Sequence, residues 1–273
     1  MTNYRYRMPT VFGPSCGPRS GPEGRRFDYS NSSRTVASVT FLTDEKMLAG
    51  LLPKRFVLAG EPRVTVEWTA LRDLEWLAGR GYHMLGIKYQ AQFNGQHDVA
   101  RGPFLSVLWE DRPEPIITGR EELGFAKLYC ELPEPRDEAD RKTIEASWDG
   151  HTFLRMHLKD LEESTPPAPP APAAAGAPIA GMLHHRYLPR VSCPGEADIE
   201  QAVVTPAGGY EVSYQSYRTG RGRVEFVPTR WEQMPTMYHI VNALAALPVL
   251  QIEGAVWFES TGSKDLHDQR VLS

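Results

Sequence analysis

Short alternating runs dominate this sequence, and they restrict it to folds built from packed strands. From Thr35, the residues Val36, Ser38 and Thr40 alternate with Ala37, Val39 and Phe41. Further on, Val64, Val66 and Trp68 alternate with Thr65, Glu67 and Thr69. Period-two alternation sends successive side chains to opposite faces, so Glu67 falls on the more polar face of its strand. Further strands are expected over residues 83–93, 104–109, 127–131, 151–157, 183–189, 199–204, 210–217, 223–227 and 250–258, with turn residues between them. Helical spacing is confined to two places. Thr43 and Asp44 cap a short helix carrying Met47, Leu48, Leu51 and Leu52, which stops before Pro53. Thr236 starts the second, with Met237, Ile240, Val241, Leu244 and Leu247 on one face. This order predicts an α+β fold, predominantly antiparallel β, in the form of a sandwich or barrel instead of βαβ units.

Residues 164–181, STPPAPPAPAAAGAPIAG, interrupt the pattern. Proline and alanine without periodicity favour extended conformations and bury no core, so the tract reads as a surface loop. Residues 1–30 read as an irregular arm, rich in Arg, Gly and Pro and without the apolar centre of a secretion signal. The 273 residues are taken as a single domain, with the tract looping out of it.

A net charge of −4 gives no basic surface, which argues against nucleic acid as a partner. No apolar run reaches the roughly 20 residues that span a bilayer, so no membrane partner is expected either. Cys16, Cys130 and Cys193 are too scattered for a disulfide framework or a metal site, which points to a reducing cytoplasm. His184 and His185 are adjacent, face opposite ways on a strand and have no third ligand near, so they read as structural.

Of the 30 basic residues only seven are lysine: Lys46, Lys54, Lys88, Lys127, Lys142, Lys159 and Lys264. Arginine stays charged in proteins, whereas lysine sheds its proton in tuned surroundings, so the roster of candidate amine nucleophiles is short. Lys127 stands out, flanked by Phe125, Ala126, Leu128 and Tyr129 in TGREELGFAKLYCE. Burial disfavours an ammonium, and a neutral amine attacks a ketone to give an iminium that serves as an electron sink. A strand lysine whose stem snorkels past apolar neighbours has the same local sequence.

GREELGFAK resembles the signature of the acetoacetate decarboxylase superfamily, in which a GRE triplet shortly precedes a Schiff-base lysine. Arg34 with Thr43-Asp44 and Leu52-Pro53, VTVEW with Glu67, YQAQFNG, Phe104 to Asp111 before GRE, LHHRYLP and the TGRGR turn after Tyr217 are similar to other parts of that family. The resemblance implies a closed, cone-like (double-psi-type) β-barrel with peripheral helices and a homo-oligomer, a tetramer or larger. It implies that Lys127 is the nucleophile, that Arg34 holds a substrate carboxylate, and that Glu67 organises charge or moves protons. Phe125 then lines the substrate site, and Arg120 and Glu121 support the lysine strand, as a partly buried ion pair. No metal or cofactor is implied, because the lysine is itself the electron sink.

Two positions depart from the family. Leu128 stands where authentic decarboxylases carry a second lysine. GYHMLG, residues 81–86, lacks the family's second pocket glutamate and offers Tyr82 or His83 in its place. The departures turn the expectation toward a Schiff-base lyase acting on a small oxo acid by pyruvate-type aldolase–dehydratase or hydratase chemistry. An acetoacetate-type decarboxylase with its missing carboxylate drawn from Glu75 or Glu121 is the alternative, and a non-catalytic binding protein the third reading.

Overall fold

The computed structural model describes residues 6–13, 21, 24–168, 176–264 and 266–273. Most of the glycine- and proline-rich part of the arm, the centre of the Pro/Ala tract and Cys16 thus lie outside the described residues.

In chain order the strands are β1 (Ser33–Leu42), β2 (Phe56–Leu58), β3 (Arg63–Leu74), β4 (Arg80–Asn94), β5 (Val99–Glu110), β6 (Lys127–Tyr129), β7 (Arg136–Glu138), β8 (Arg141–Trp148), β9 (His151–Glu163), β10 (Ile179–Pro189), β11 (Ala197–Pro206), β12 (Ser213–Phe226), β13 (Gln251–Thr261) and β14 (Arg270–Leu272). The helices are α1 (Glu45–Ala49), α2 (Pro113–Thr118) and α3 (Tyr238–Ala245). Asp44 caps α1 by accepting from the Met47 N–H at 2.8 Å. Met237, Val241, Leu244 and Leu247, the apolar face expected of the second helix, are buried in the main core.

All strands join one sheet, in the order β14-β11-β10-β5-β4-β3-β1-β13-β12-β9-β8-β7, with β2 on β4 and β6 on β5. Every pairing is antiparallel except those of β10 and β6 with β5. The expected closed ring is not made by these ladders, which form an open path from β14 to β7. An isolated bridge, Glu131 to Ser147, adds a link from the β6 side to β8, and the Ser147 hydroxyl donates to Glu131 Oε2 at 2.7 Å.

The predicted TGRGR turn is instead part of β12, which runs unbroken through it. Its glycines serve close packing: a Cβ on Gly222 would stand 2.6 Å from Val39, and one on Gly220 2.4 Å from the Lys159 carbonyl. Among the described residues no helix is long and apolar enough to cross a membrane.

Candidate active site

The register sorts the candidate residues by face. Ser38, Glu67, Gly86, Leu108 and Lys127 are successive Cα partners across β1, β3, β4, β5 and β6. Two residues along lie Val36, Thr69, Met84 and Glu110, and two further Arg34, Leu71 and Tyr82. Partnered residues share a face, and so do residues two apart. Arg34, Glu67, Tyr82, Glu110 and Lys127 therefore project from one side of the sheet, while His83 and Leu128 project from the other. That other side is the main core, made by Val64, Val66, Trp68, Leu85, Ile87 and Trp109, with Leu128 packed against it.

Lys127 is buried, and its Nζ lies 2.8 Å from Glu110 Oε1 while donating to the Pro115 carbonyl at 2.9 Å. Glu110 is fully inaccessible, and among the described residues neither of its oxygens accepts a well-aligned hydrogen bond, so the contact with Lys127 is an ion pair. Burial pushes its carboxyl above the ordinary carboxylate range; the Lys127 ammonium pulls it down without cancelling the rise.

The chain between β5 and β6 builds the rest. Gly119 to Leu123 form a π-helical turn ending at Gly124, whose φ of 78° lies in the left-handed region. Gly119 leaves room for the lysine: a Cβ there would stand 2.4 Å from Lys127 Cε and 2.5 Å from Nζ. Arg120 donates to the Lys127 carbonyl at 2.8 Å, and the Glu121 carbonyl accepts from Arg186 at 2.8 Å. No ion pair joins Arg120 to Glu121. The glutamate next along, Glu122, pairs instead with Arg7 of the N-terminal arm.

Phe125 is buried with its ring centroid 5.8 Å from Lys127 Nζ, and it packs on His184 at 4.2 Å. The fully buried His184 meets the Leu123 carbonyl through Nε2 at 2.9 Å, and burial lowers its pKa to about 4, so the ring is neutral. Leu105, Leu108 and Phe125 make a small second apolar cluster with Met84, Leu123 and Met182. Burial drives the Tyr82 hydroxyl well above its ordinary range, with Glu110 and Asp111 adding to the rise, so Tyr82 stays protonated. Its ring meets Trp76 edge-on at 6.4 Å.

Other expected residues are held elsewhere. Glu67 pairs with Lys88 at 2.5 Å, and three strand spacings of about 4.8 Å separate its backbone from that of Lys127. Arg34 donates from Nε to Ser260 at 3.0 Å and has no contact with Lys127. Glu75 binds the arm, accepting from Arg25 at 2.5 Å and from the Asp28 N–H at 2.6 Å. The carboxylate beside the lysine is thus Glu110, which the sequence reading passed over. Its signal is an acid closing the apolar run FLSVLWE at even spacing from Leu108.

A cavity of about 710 Å³ lies beside α2, bounded by Arg7, Arg25 and Phe27 of the arm, by Trp76, and by Ile117 and Thr118; Lys127, Glu110, Tyr82, Phe125 and Arg34 do not line it. Trp76 connects it to Tyr82, and Thr118 precedes the glycine packed on Lys127.

The family model described as acetoacetate decarboxylase matches residues 7–273. A search of curated proteins returned no match. Among solved structures, an enduracididine biosynthesis enzyme, MppR, complexed with pyruvate superposes with a TM-score of 0.66 at 17% identity, covering 96% of this chain and 99% of that one. Acetoacetate decarboxylase from Legionella pneumophila gives 0.64 at 17% identity and 93% of each chain. An acetoacetate decarboxylase-like enzyme from Sphingomonas wittichii RW1 gives 0.59 at 15% identity, covering 86% of this chain and 91% of that one. At these identities the likeness is one of fold.

Proposed function

This chain belongs to the acetoacetate decarboxylase family, and on that premise we propose that it is a Schiff-base lyase that binds a small 2-oxo acid on Lys127. The observation that carries the proposal is the buried Lys127–Glu110 pair at 2.8 Å. Transfer of an ammonium proton from Lys127 to Glu110 leaves an amine lone pair on Nζ. That lone pair attacks the substrate carbonyl carbon, the π electrons move to oxygen, and Glu110 returns the proton to it. Loss of water then gives the iminium.

Glu110, once more a carboxylate, takes a proton from the carbon next to the iminium, and the C–H electrons form an enamine. The enamine adds to an aldehyde acceptor; dehydration gives a conjugated imine, and hydrolysis releases the product and the lysine. A base in contact with the iminium nitrogen serves this sequence directly, which favours aldolase–dehydratase chemistry. The related hydratase reading uses the same conjugated imine.

Decarboxylation of a 3-oxo acid is the second reading. There the breaking C–C bond supplies the enamine electrons, carbon dioxide leaves, and Glu110 is needed only to protonate the product. In both, Tyr82 is a proton donor, Phe125 an apolar wall and Arg34 the carboxylate partner brought in by substrate. Glu67, held by Lys88, sets charge at a distance. The enzyme is proposed to work as one domain within a homo-oligomer.

The test is trapping. Incubation with pyruvate or acetoacetate, reduction with borohydride and peptide mass analysis should place the added mass on Lys127 alone, and Lys127→Ala should abolish it. Enone absorbance or released carbon dioxide then separates the two chemistries. Absence of label with every small oxo acid would leave a binding protein and refute the enzyme.

A further inference from the structure

We infer that His83 is a positioning residue for the Lys127–Glu110 pair, closing a clamp on the opposite face of the sheet that grips best when the imidazole is protonated. The inference rests on the Schiff-base reading above. His83 Nδ1 lies 2.6 Å from Asp111 Oδ2, and the His83 N–H donates to Asp111 Oδ1 at 2.9 Å. The Asp111 N–H in turn donates to the His83 carbonyl at 3.3 Å. Asp111 directly follows Glu110, so this two-sided latch fixes the strand end that presents the buried carboxylate.

The other ring nitrogen, Nε2, lies 3.1 Å from Glu134 Oε1. Glu134 belongs to the segment that leaves β6, and it also accepts from Arg72 at 2.5 Å, while Arg72 donates to Thr35 at 3.1 Å. The imidazole stacks on the core residue Trp68 at 5.4 Å and 18°. One ring thus ties the segment beyond Glu110 to the segment beyond Lys127, both anchored to β1 and β3 through Arg72.

The charged groups facing the ring are Asp111 just beyond β5, Glu134 beyond β6 and, through Glu134, Arg72 of β3. Burial opposes protonation, but the hydrogen bonds and charges of Asp111 and Glu134 outweigh it and raise the pKa above the ordinary 6.5. A raised folded value means that the grip is complete below pH 6.5 and is lost as pH rises through the raised value. Neutral imidazole donates from only one nitrogen, so one carboxylate then faces a lone pair. With Asp111 at the shorter distance, Glu134 is the partner released.

The test follows the rate of pyruvate trapping, with cyanoborohydride as reductant, from pH 5.5 to 9 in the full chain, His83→Gln and Glu134→Gln. The wild-type rate should rise and then fall on the alkaline side. Glu134→Gln should move the fall down by about 0.7 pH unit, the worth of one half-exposed ionic partner. His83→Gln should remove the fall and lower the rate at acid pH. An identical alkaline limb in all three proteins would overturn the clamp.

Hydrogen exchange of residues 128–135, corrected for intrinsic rate, is read on the same samples. Protection should decline with pH in the wild type and be low throughout in His83→Gln; a flat wild-type profile refutes the inference. This readout needs no substrate, so it judges the clamp even if no oxo acid is trapped, an outcome that would refute the lyase instead.

Discussion

Replacing Lys127 by methionine keeps the length of the side chain and removes the cation that, among the described residues, pairs with Glu110, so it isolates the cost of a stranded acid. Glu110 has no exposed surface and, among the described residues, no well-aligned hydrogen-bond donor. A carboxylate left there neutralises rather than remain charged. The ordinary glutamate value is 4.5. Holding the acid protonated at pH 7 therefore costs about 3.4 kcal/mol, and at pH 5 about 0.7 kcal/mol, at roughly 1.36 kcal/mol per pH unit. The sign follows from proton counting: the folded variant binds a proton that the unfolded chain releases at pH 7, so the variant loses stability as pH rises. Because burial also holds Glu110 above its ordinary value in the wild type, urea unfolding at fixed protein concentration should show the gap between Lys127→Met and wild type narrowing by at most about 2.7 kcal/mol from pH 7 to pH 5. Adding Glu110→Gln should remove most of that pH dependence, because a neutral amide has nothing to titrate. A gap that stays constant between the two pH values would refute the pairing of Glu110 with Lys127.

Two further substitutions test the surroundings of the pair. Gly119→Ala places a methyl 2.4 Å from Lys127 Cε; trapping at Lys127 should fall at least tenfold for a displacement of about 1 Å, with a smaller change in the urea midpoint, since the lysine's flexible end can move. Leu128→Lys, which would recreate the decarboxylases' lysine pair in sequence, should destabilise the fold by about 2–3 kcal/mol, seen as a lower urea midpoint. Its side chain points to the core face, so an active, stable variant with an altered pH profile would contradict the register.

The legible parts of the sequence were those where one physical rule acted alone. Alternation marked β1 and β3, and the Asp44 cap and apolar spacing marked α1 and α3. Gly102 and Pro103 concealed the first half of β5, which carries them because Gly102 packs against the Gly181 backbone. TGRGR suggested a turn because glycine is as useful for close packing as for bending. Lys127 was conspicuous for its apolar neighbours. Glu110 was not, because its meaning depends on the register of β5 with β6, and register is not written in either segment. His83 and Tyr82 are adjacent in sequence, and only the pleat sends one to the lysine's side and the other to the core side.

The edge of β5 is shared: β10 takes its first half and β6 its second. Since both neighbours run parallel to it, neither is joined by a hairpin, and the residues from Pro113 to Ala126 arch over the sheet to deliver the lysine. The approach to the lysine is thus a bracket bolted onto the scaffold. Changes to that bracket can retune the amine's company while the long ladders beneath stay untouched.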